Sequence, residues 1–212
     1  MNRYYMVAIP AIITIVLISY MLYPHQTQDT KVTLQTLAQN GSPILGNPSA
    51  PITIVEWGDY QCTYCHAFYK NSEDSLIREY VDTGKVNFVF RDFPLNGPDS
   101  VLAAEASYCA NDQGKYWEYH DELYKNWAGE KTGWVNRNSL DQFANTVGID
   151  TTQFDKCLDD KKYEQKVLDN QKFGESIGIN ATPSFLIFDS KNGTKIIGAQ
   201  PFSMFKQVLD SF

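Results

Sequence analysis

Two cysteines stand three positions apart in the stretch DYQCTYCHAF, residues 59–68, at Cys62 and Cys65. Thiols at that spacing support two kinds of chemistry. They can supply half of a zinc site, or they can close and open a disulfide. A structural zinc site takes four ligands, commonly from two such pairs. The other cysteines, Cys109 and Cys157, stand alone, and His66 and His120 show no ligand spacing. No metal is expected, and a redox role explains more of the surroundings than an idle pair does.

A thiol must ionise to exchange disulfides, because the thiolate is the nucleophile. The flanking elements offer a means. Residues 52–57, ITIVEW, are rich in β-branched types and bounded by Pro51 and Gly58, which predicts a buried strand. From residue 63 to about 81 the apolar spacing turns helical, and Gly84 stands where a helix would stop. Cys62 therefore falls at the start of a helix, where unpaired N–H groups and the helix dipole favour negative charge. Cys65 lies one turn further, placed to join it. Cys62 is expected to be exposed and Cys65 more covered.

The elements beyond fall into order. Residues 86–91, VNFVFR, predict a second strand, so strand, helix and strand form a βαβ unit with parallel strands. Helical patterns follow over 99–111, 116–127, 139–147, 151–158 and 163–177. Trp117, Tyr124, Trp127 and Trp134 read as packing residues. SFLIF at 184–188 predicts a strand, Asn192-Gly193 a hairpin turn and 194–197 its partner. An amphipathic helix over 204–209 closes the chain.

The 212 residues are 43 % hydrophobic and 14 % aromatic, a composition that packs a core, and the net charge is −7. An acidic chain argues against nucleic-acid binding, which needs clustered Lys and Arg. The N-terminus differs in character. Residues 6–23, MVAIPAIITIVLISYMLY, carry no charge, and eighteen helical residues span about 27 Å, close to a bilayer's hydrocarbon thickness. Arg3 precedes them, which keeps that end in the cytoplasm. We expect a cytoplasmic end over 1–5, a transmembrane anchor over 6–23 and a polar tether over 24–43. The rival is a cleaved signal peptide, which wants a shorter apolar core and a small-residue cleavage site that YPHQTQDT, after Leu22, does not provide.

EWGDYQCTYCHAFY, TGKVNFVFRDFPL, the run of helices and ATPSFLIF together resemble the DsbA-like branch of the thioredoxin superfamily. The resemblance covers residues 51–212. It implies an α/β thioredoxin fold, over 44–97 and 179–212, with an all-helical insert over 98–178. It implies a cis peptide at Thr182-Pro183, in a loop that lies against the active-site cysteines and pairs its backbone with an extended substrate. Thr182 and Tyr64 are expected to meet that substrate. Glu56 stands where thioredoxin-like proteins carry a buried acid, and the implied role is to take the proton from Cys65 as it attacks a mixed disulfide. A strand-end Glu facing water is the alternative. Arg91 could pair with Glu56 or serve structurally. Of the three pairings open to four cysteines, the resemblance supports 62–65 with a structural 109–157 bridge; the alternative is two unpaired core thiols.

One departure from the branch concerns the residues between the cysteines. Its best-known oxidases carry His in the second of those positions, where this chain has Tyr64. A neutral phenol lends no positive charge to a thiolate. His66, just after Cys65, could substitute in part, or simply be solvated. The expected function is a membrane-tethered, extracytoplasmic thiol–disulfide oxidoreductase without cofactor. It would donate disulfides to exported cysteine-containing proteins and be recharged by a membrane quinone-linked thiol oxidase. A reductase, a disulfide isomerase and a non-enzymatic chaperone module of the same fold are the alternatives.

Overall fold

The computed structural model describes residues 34–212. The anchor expected over 6–23 lies outside the described residues, as does the tether as far as residue 33. Among the described residues no helix is long and apolar enough to cross a membrane.

A short helix, α1 (Leu34–Ala38), precedes a four-stranded sheet. β1 (Ile52–Gly58) runs parallel to β2 (Val86–Asp92), with Glu56 opposite Phe90 and Trp57 opposite Arg91. On its other edge β1 pairs antiparallel with β3 (Ser184–Phe188), which pairs with β4 (Gly193–Ile197). The order is β2-β1-β3-β4. Strands covered on both faces carry apolar residues at successive positions rather than only alternate ones, which is why 52–57 and 86–91 were legible even though β2 lies at the edge of the sheet.

Strand alternation divides the side chains between two faces. Ile54, Phe88, Phe185 and Ile187 pack with Phe68, Leu76 and Phe205. Val55, Trp57 and Val89 pack with Leu37, Phe93 and Ile179 on the other face. Glu56, two residues from Ile54, shares the first face.

The helix after Cys62 is not uniform. α2 (Thr63–Phe68) runs into a π-helical turn (Tyr69–Glu73), then α3 (Asp74–Leu76) and a second π turn (Ile77–Val81). A π turn inserts an extra residue into the ladder, and the phase shift leaves both Ser72 and Glu73 buried. Gly84, at φ +75°, ends the element.

Five helices follow: α4 (Pro98–Asn111), α5 (Tyr116–Lys125), α6 (Arg137–Thr146), α7 (Thr151–Asp159) and α8 (Glu164–Ser176). α9 (Phe202–Leu209) closes the chain. α6 begins two residues before its apolar pattern suggests, because Asn136 and Ser139 form a reciprocal cap that satisfies the first free N–H groups. α5 stops at Lys125 rather than 127, and the loop that follows turns back to the cysteine pair. Cys109 on α4 and Cys157 on α7 are joined by a disulfide. Tyr60, Cys62, Cys65 and Phe90 share one apolar cluster with residues of α4 to α8, so the helices and the cysteine pair have a common core.

The tether expected over 24–43 requires a correction. Leu37 is buried against Val55, Trp57, Val89 and Phe93. The Ser42 amide donates to the Phe90 carbonyl (2.8 Å) and Leu45 bridges Phe88 (2.9 Å). Backbone from residue 42 thus extends the open edge of β2. The unpaired edge groups of β2 supply the reason; polar composition alone concealed it.

Candidate active site

The end of β1 delivers the cysteine pair. After Gly58, Asp59 folds the loop over itself: its carboxylate accepts from the amides of Gln61 and Asn96, each at 2.8 Å. The Cys62 amide donates to the Asp59 carbonyl at 3.0 Å. Cys62 then takes extended backbone angles at the N-cap of α2, with no side-chain cap present. The position that Ser or Asp commonly fills is held by a thiol, so the first-turn N–H groups face sulfur.

Both thiols are free. Hydrogen bonding from the Cys65 thiol is the largest influence on Cys62; with contributions from Thr182 and the amides of Tyr64 and Cys65 it outweighs burial and brings the Cys62 pKa from 9.0 down to about 6. Cys65 goes the other way. Complete burial, the Cys62 sulfur and the Glu56 charge raise its pKa well above the usual thiol value. The Asp59 amide reaches the Cys65 sulfur at 3.5 Å.

The expected exposure of Cys62 is corrected in degree. Cys62 is 6 % exposed and Cys65 fully buried, so the order holds but Cys62 shows only an edge to solvent. Packing is the reason: Thr182, itself buried, accepts from the Cys62 thiol at its carbonyl (3.5 Å). The Thr182-Pro183 peptide is cis. Tyr64, 65 % exposed, projects beside the pair.

Glu56 is buried. Burial, then the charges of Glu73 and Cys62, raises its pKa well above the usual carboxyl value. It does not meet Arg91. The register puts Arg91 opposite Trp57, on the other face of the sheet. There its guanidinium donates to the carbonyls of Thr36 and Leu37 and to Asn170, and lies over the Phe173 ring. His66 is not freely solvated either: it stacks on Trp127 at 4.4 Å. Burial and Lys70 lower its pKa, which works against a positive charge beside Cys62. Among the described residues no group of three or more His, Cys, Asp or Glu is arranged to hold a metal.

Several residues at the site went unread in the sequence. Gln61, fully buried, is held by the loop after α5: Trp127 donates to its carbonyl (2.9 Å) and the Lys131 amide to its side chain (3.1 Å). Glu130 accepts from the Thr63 amide at 2.8 Å, placing a carboxylate beside the first turn of α2. Glu73 and His120 are buried and 3.6 Å apart. Glu73 was hidden by the π turn, which breaks the 3.6-residue period. His120 carried a signal, a His on the apolar side of a helical pattern, but no partner could be named for it. The arrangement as a whole can hold a nucleophilic thiolate at a protein edge, a protonated thiol behind it and a proton-accepting carboxyl nearby.

Comparisons with known proteins place this geometry. The family described as Thioredoxin matches residues 38–211. Disulfide bond formation protein D of Bacillus subtilis is 30 % identical over 152 residues, 70 % of this chain and 68 % of that protein. A probable disulfide bond formation protein D of Bacillus anthracis is 31 % identical over 147 residues, 68 % of each chain. Among solved structures, oxidised BdbD from Bacillus subtilis superposes with a TM-score of 0.74 at 25 % identity, covering 81 % of this chain and 92 % of that one. Wolbachia pipientis alpha-DsbA1 superposes with a TM-score of 0.70 at 28 % identity, covering 79 % and 88 %. The chain belongs to the thioredoxin family, in its DsbA-like branch of thiol–disulfide oxidoreductases.

Proposed function

We propose that this protein donates disulfides to exported proteins from the outer side of a membrane, through the Cys62–Cys65 pair. The observation that carries the direction is the placement of Cys62 at the N-cap of α2, against the Thr182 carbonyl and the Cys65 thiol, which brings its pKa down to about 6. A stabilised thiolate stabilises the reduced enzyme, and a stable reduced form makes the disulfide oxidising. Tyr64 weakens this less than its neutral phenol suggests, because the N-cap position and the Cys65 thiol act on Cys62 directly.

In the forward reaction a substrate thiolate attacks the Cys62 sulfur and breaks the Cys62–Cys65 bond. Cys65 leaves as a thiolate and takes a proton, for which Glu56 is the donor. The second substrate thiolate then attacks the substrate sulfur and expels the Cys62 thiolate. Two electrons pass to the enzyme and a disulfide to the substrate. Thr182 and Pro183 offer backbone to an extended substrate, and Tyr64 offers an aromatic face beside it. A membrane quinone-linked thiol oxidase would return the pair to its disulfide. The apolar residues 6–23 would anchor the chain, residues 98–178 would cover the redox centre, and the Cys109–Cys157 bridge would brace that cover. The likeness to disulfide bond formation proteins of Bacillus supports disulfide formation over the reductase and isomerase alternatives.

Equilibrating the full-length protein against a glutathione redox series tests the direction. A disulfide reduced only by potentials near the thioredoxin value of about −270 mV, rather than toward the DsbA value of about −120 mV, would overturn donation in favour of reduction.

A further inference from the structure

The loop after α5 fixes one acidic side chain on the rim of the redox pair. Trp127 donates from its ring nitrogen to the Gln61 carbonyl (2.9 Å), and the Lys131 amide donates to the Gln61 side chain (3.1 Å). Gln61 donates in turn to the Ser100 hydroxyl on α4 (2.9 Å), and His66 stacks on the Trp127 ring. Trp134 donates to the Gly129 carbonyl at 2.9 Å, so the loop is also closed on itself. Glu130 stands between these anchors. Its Oε1 accepts from the amide of Thr63, the residue after Cys62, at 2.8 Å. Standard bond lengths then put that oxygen no more than roughly 8 Å from the Cys62 sulfur. Glu130, Thr63 and Tyr64 are all exposed, and among the described residues Glu130 makes no ion pair.

We propose that Glu130 is a specificity-determining residue: it favours substrate thiols flanked by Lys or Arg side chains and disfavours thiols flanked by carboxylates. The inference rests on the thiol-exchange reading and deepens it by naming the substrate class. A substrate sulfur has to reach the Cys62 sulfur, which already touches the Thr182 carbonyl at 3.5 Å. Whatever side chains flank that substrate sulfur then pass within about a Debye length of the Glu130 carboxylate, since that length is about 8 Å at physiological salt. A mobile surface carboxylate would average its field over many positions. This one is held by a hydrogen bond to the helix that carries Cys62, so its field acts at one place. Complementary charge at such a rim acts mainly on the rate of encounter. Glu130 takes no part in making or breaking the sulfur–sulfur bonds.

The other charged residues of this region do not do the same. Glu56 and Asp59 are buried beneath the pair. Lys131 is exposed, but it is tied to the redox loop by its backbone amide and not by its ammonium. Lys70 lies further along, in the first π turn. The charge that a hydrogen bond fixes next to Cys62 is therefore negative.

Two small thiols of opposite charge test this on the oxidised full-length protein. Cysteamine carries an ammonium near its sulfur and mercaptopropionate a carboxylate. In each case a thiolate attacks the Cys62 sulfur and breaks the Cys62–Cys65 bond, and Cys65 leaves and takes a proton. A second small thiolate then attacks the sulfur of the first and expels the Cys62 thiolate. The small disulfide departs, and its two electrons stay on the cysteine pair. Acid quenching, alkylation of the freed thiols and mass counting give the rate in wild type and in Glu130→Gln, which keeps an acceptor for the Thr63 amide. The readout is the ratio of the cysteamine rate to the mercaptopropionate rate. A change in Cys62 acidity, potential or stability acts on both thiols alike and cancels from it. At low salt the ratio should fall about fivefold in Glu130→Gln, the scale of one exposed charge pair, and further in Glu130→Lys. In about 1 M salt, where the screening length is about 3 Å, the proteins should converge. A low-salt ratio that either variant leaves unchanged or raises overturns the proposal while thiol exchange stands. A wild-type disulfide that neither thiol reduces overturns exchange, and this proposal with it.

Discussion

Acidifying the reduced protein should remove stability that belongs to one sulfur. In the folded reduced state the Cys62 pKa stands near 6, against 9.0 for an ordinary thiol. The folded value is depressed, so the contribution is fully present above the unfolded value, near pH 9, and is lost as pH falls through 6. At pH 7 the folded thiol is about nine-tenths ionised and the unfolded one about one-hundredth, which is worth about 1.4 kcal/mol; well above pH 9 the full three-unit gap is worth about 4 kcal/mol. Below pH 5 nothing remains. Through the redox cycle the pH 7 portion alone corresponds to about 30 mV toward oxidising power. The assay has two parts. Thiolate absorbance near 240 nm gives the midpoint on reduced protein, and urea unfolding near pH 5, 7 and 8 gives stability for wild type and Cys62→Ser under reductant. The gap between them should open as pH rises. A thiolate midpoint at pH 8 or above, or stability curves that stay parallel, would refute the reasoning that places this sulfur at a helix N-cap for its charge.

Other outcomes follow from neighbouring groups. Glu56 has a raised folded pKa, so its favourable contribution is complete below about 4.5 and decays as pH rises; Glu56→Gln should therefore be more stable than wild type at pH 8, by a margin that shrinks at pH 5, and an equal margin at both would count against burial as the cause. Replacing Cys109 and Cys157 by Ala opens a link across 48 residues and should lower stability by about 2–4 kcal/mol in urea unfolding, with the Cys62 thiolate midpoint unmoved. Glu130→Gln keeps an acceptor for the Thr63 amide but removes a negative charge beside Cys62. The thiolate midpoint should fall by a few tenths of a unit at low salt, about zero at high salt, and a rise would contradict that placement. Gly174→Ala would set a Cβ 2.8 Å from Phe93 and 2.9 Å from Trp57, and should cost about 1–3 kcal/mol by overpacking; a neutral result would mean those rings move freely.

The elements that carry the cysteines were legible because each has a strong local signal. β1 and β2 are buried on both faces and read as apolar runs, and α9 is amphipathic. The edges were less clear for equally physical reasons. Residues 34–45 look like a polar leader, yet α1 and the Ser42–Phe90 pairing are fixed by the open edge of β2, which lies far off in the chain. The π turn at Tyr69–Glu73 has no composition signature, so the inward turn of Glu73 was invisible. Arg91 illustrates strand parity: one residue of register separates a partner of Glu56 from a side chain on the opposite face.

What the sequence determined by itself is the chemistry and its place in the chain: two thiols one helical turn apart at a strand-to-helix junction, an acid six residues earlier, and a Thr-Pro step before a late strand. These are local, because a thiol's identity and a helix start are written within ten residues. Tertiary structure alone decided how the two sulfurs differ and what stands behind them. Cys62 keeps an edge at the surface while Cys65 loses all contact with water. Glu130 reaches Thr63, and His120 reaches Glu73, from elements dozens of residues away. Desolvation and through-space charge depend on which atoms fill the volume around a group, and only the packed chain supplies that.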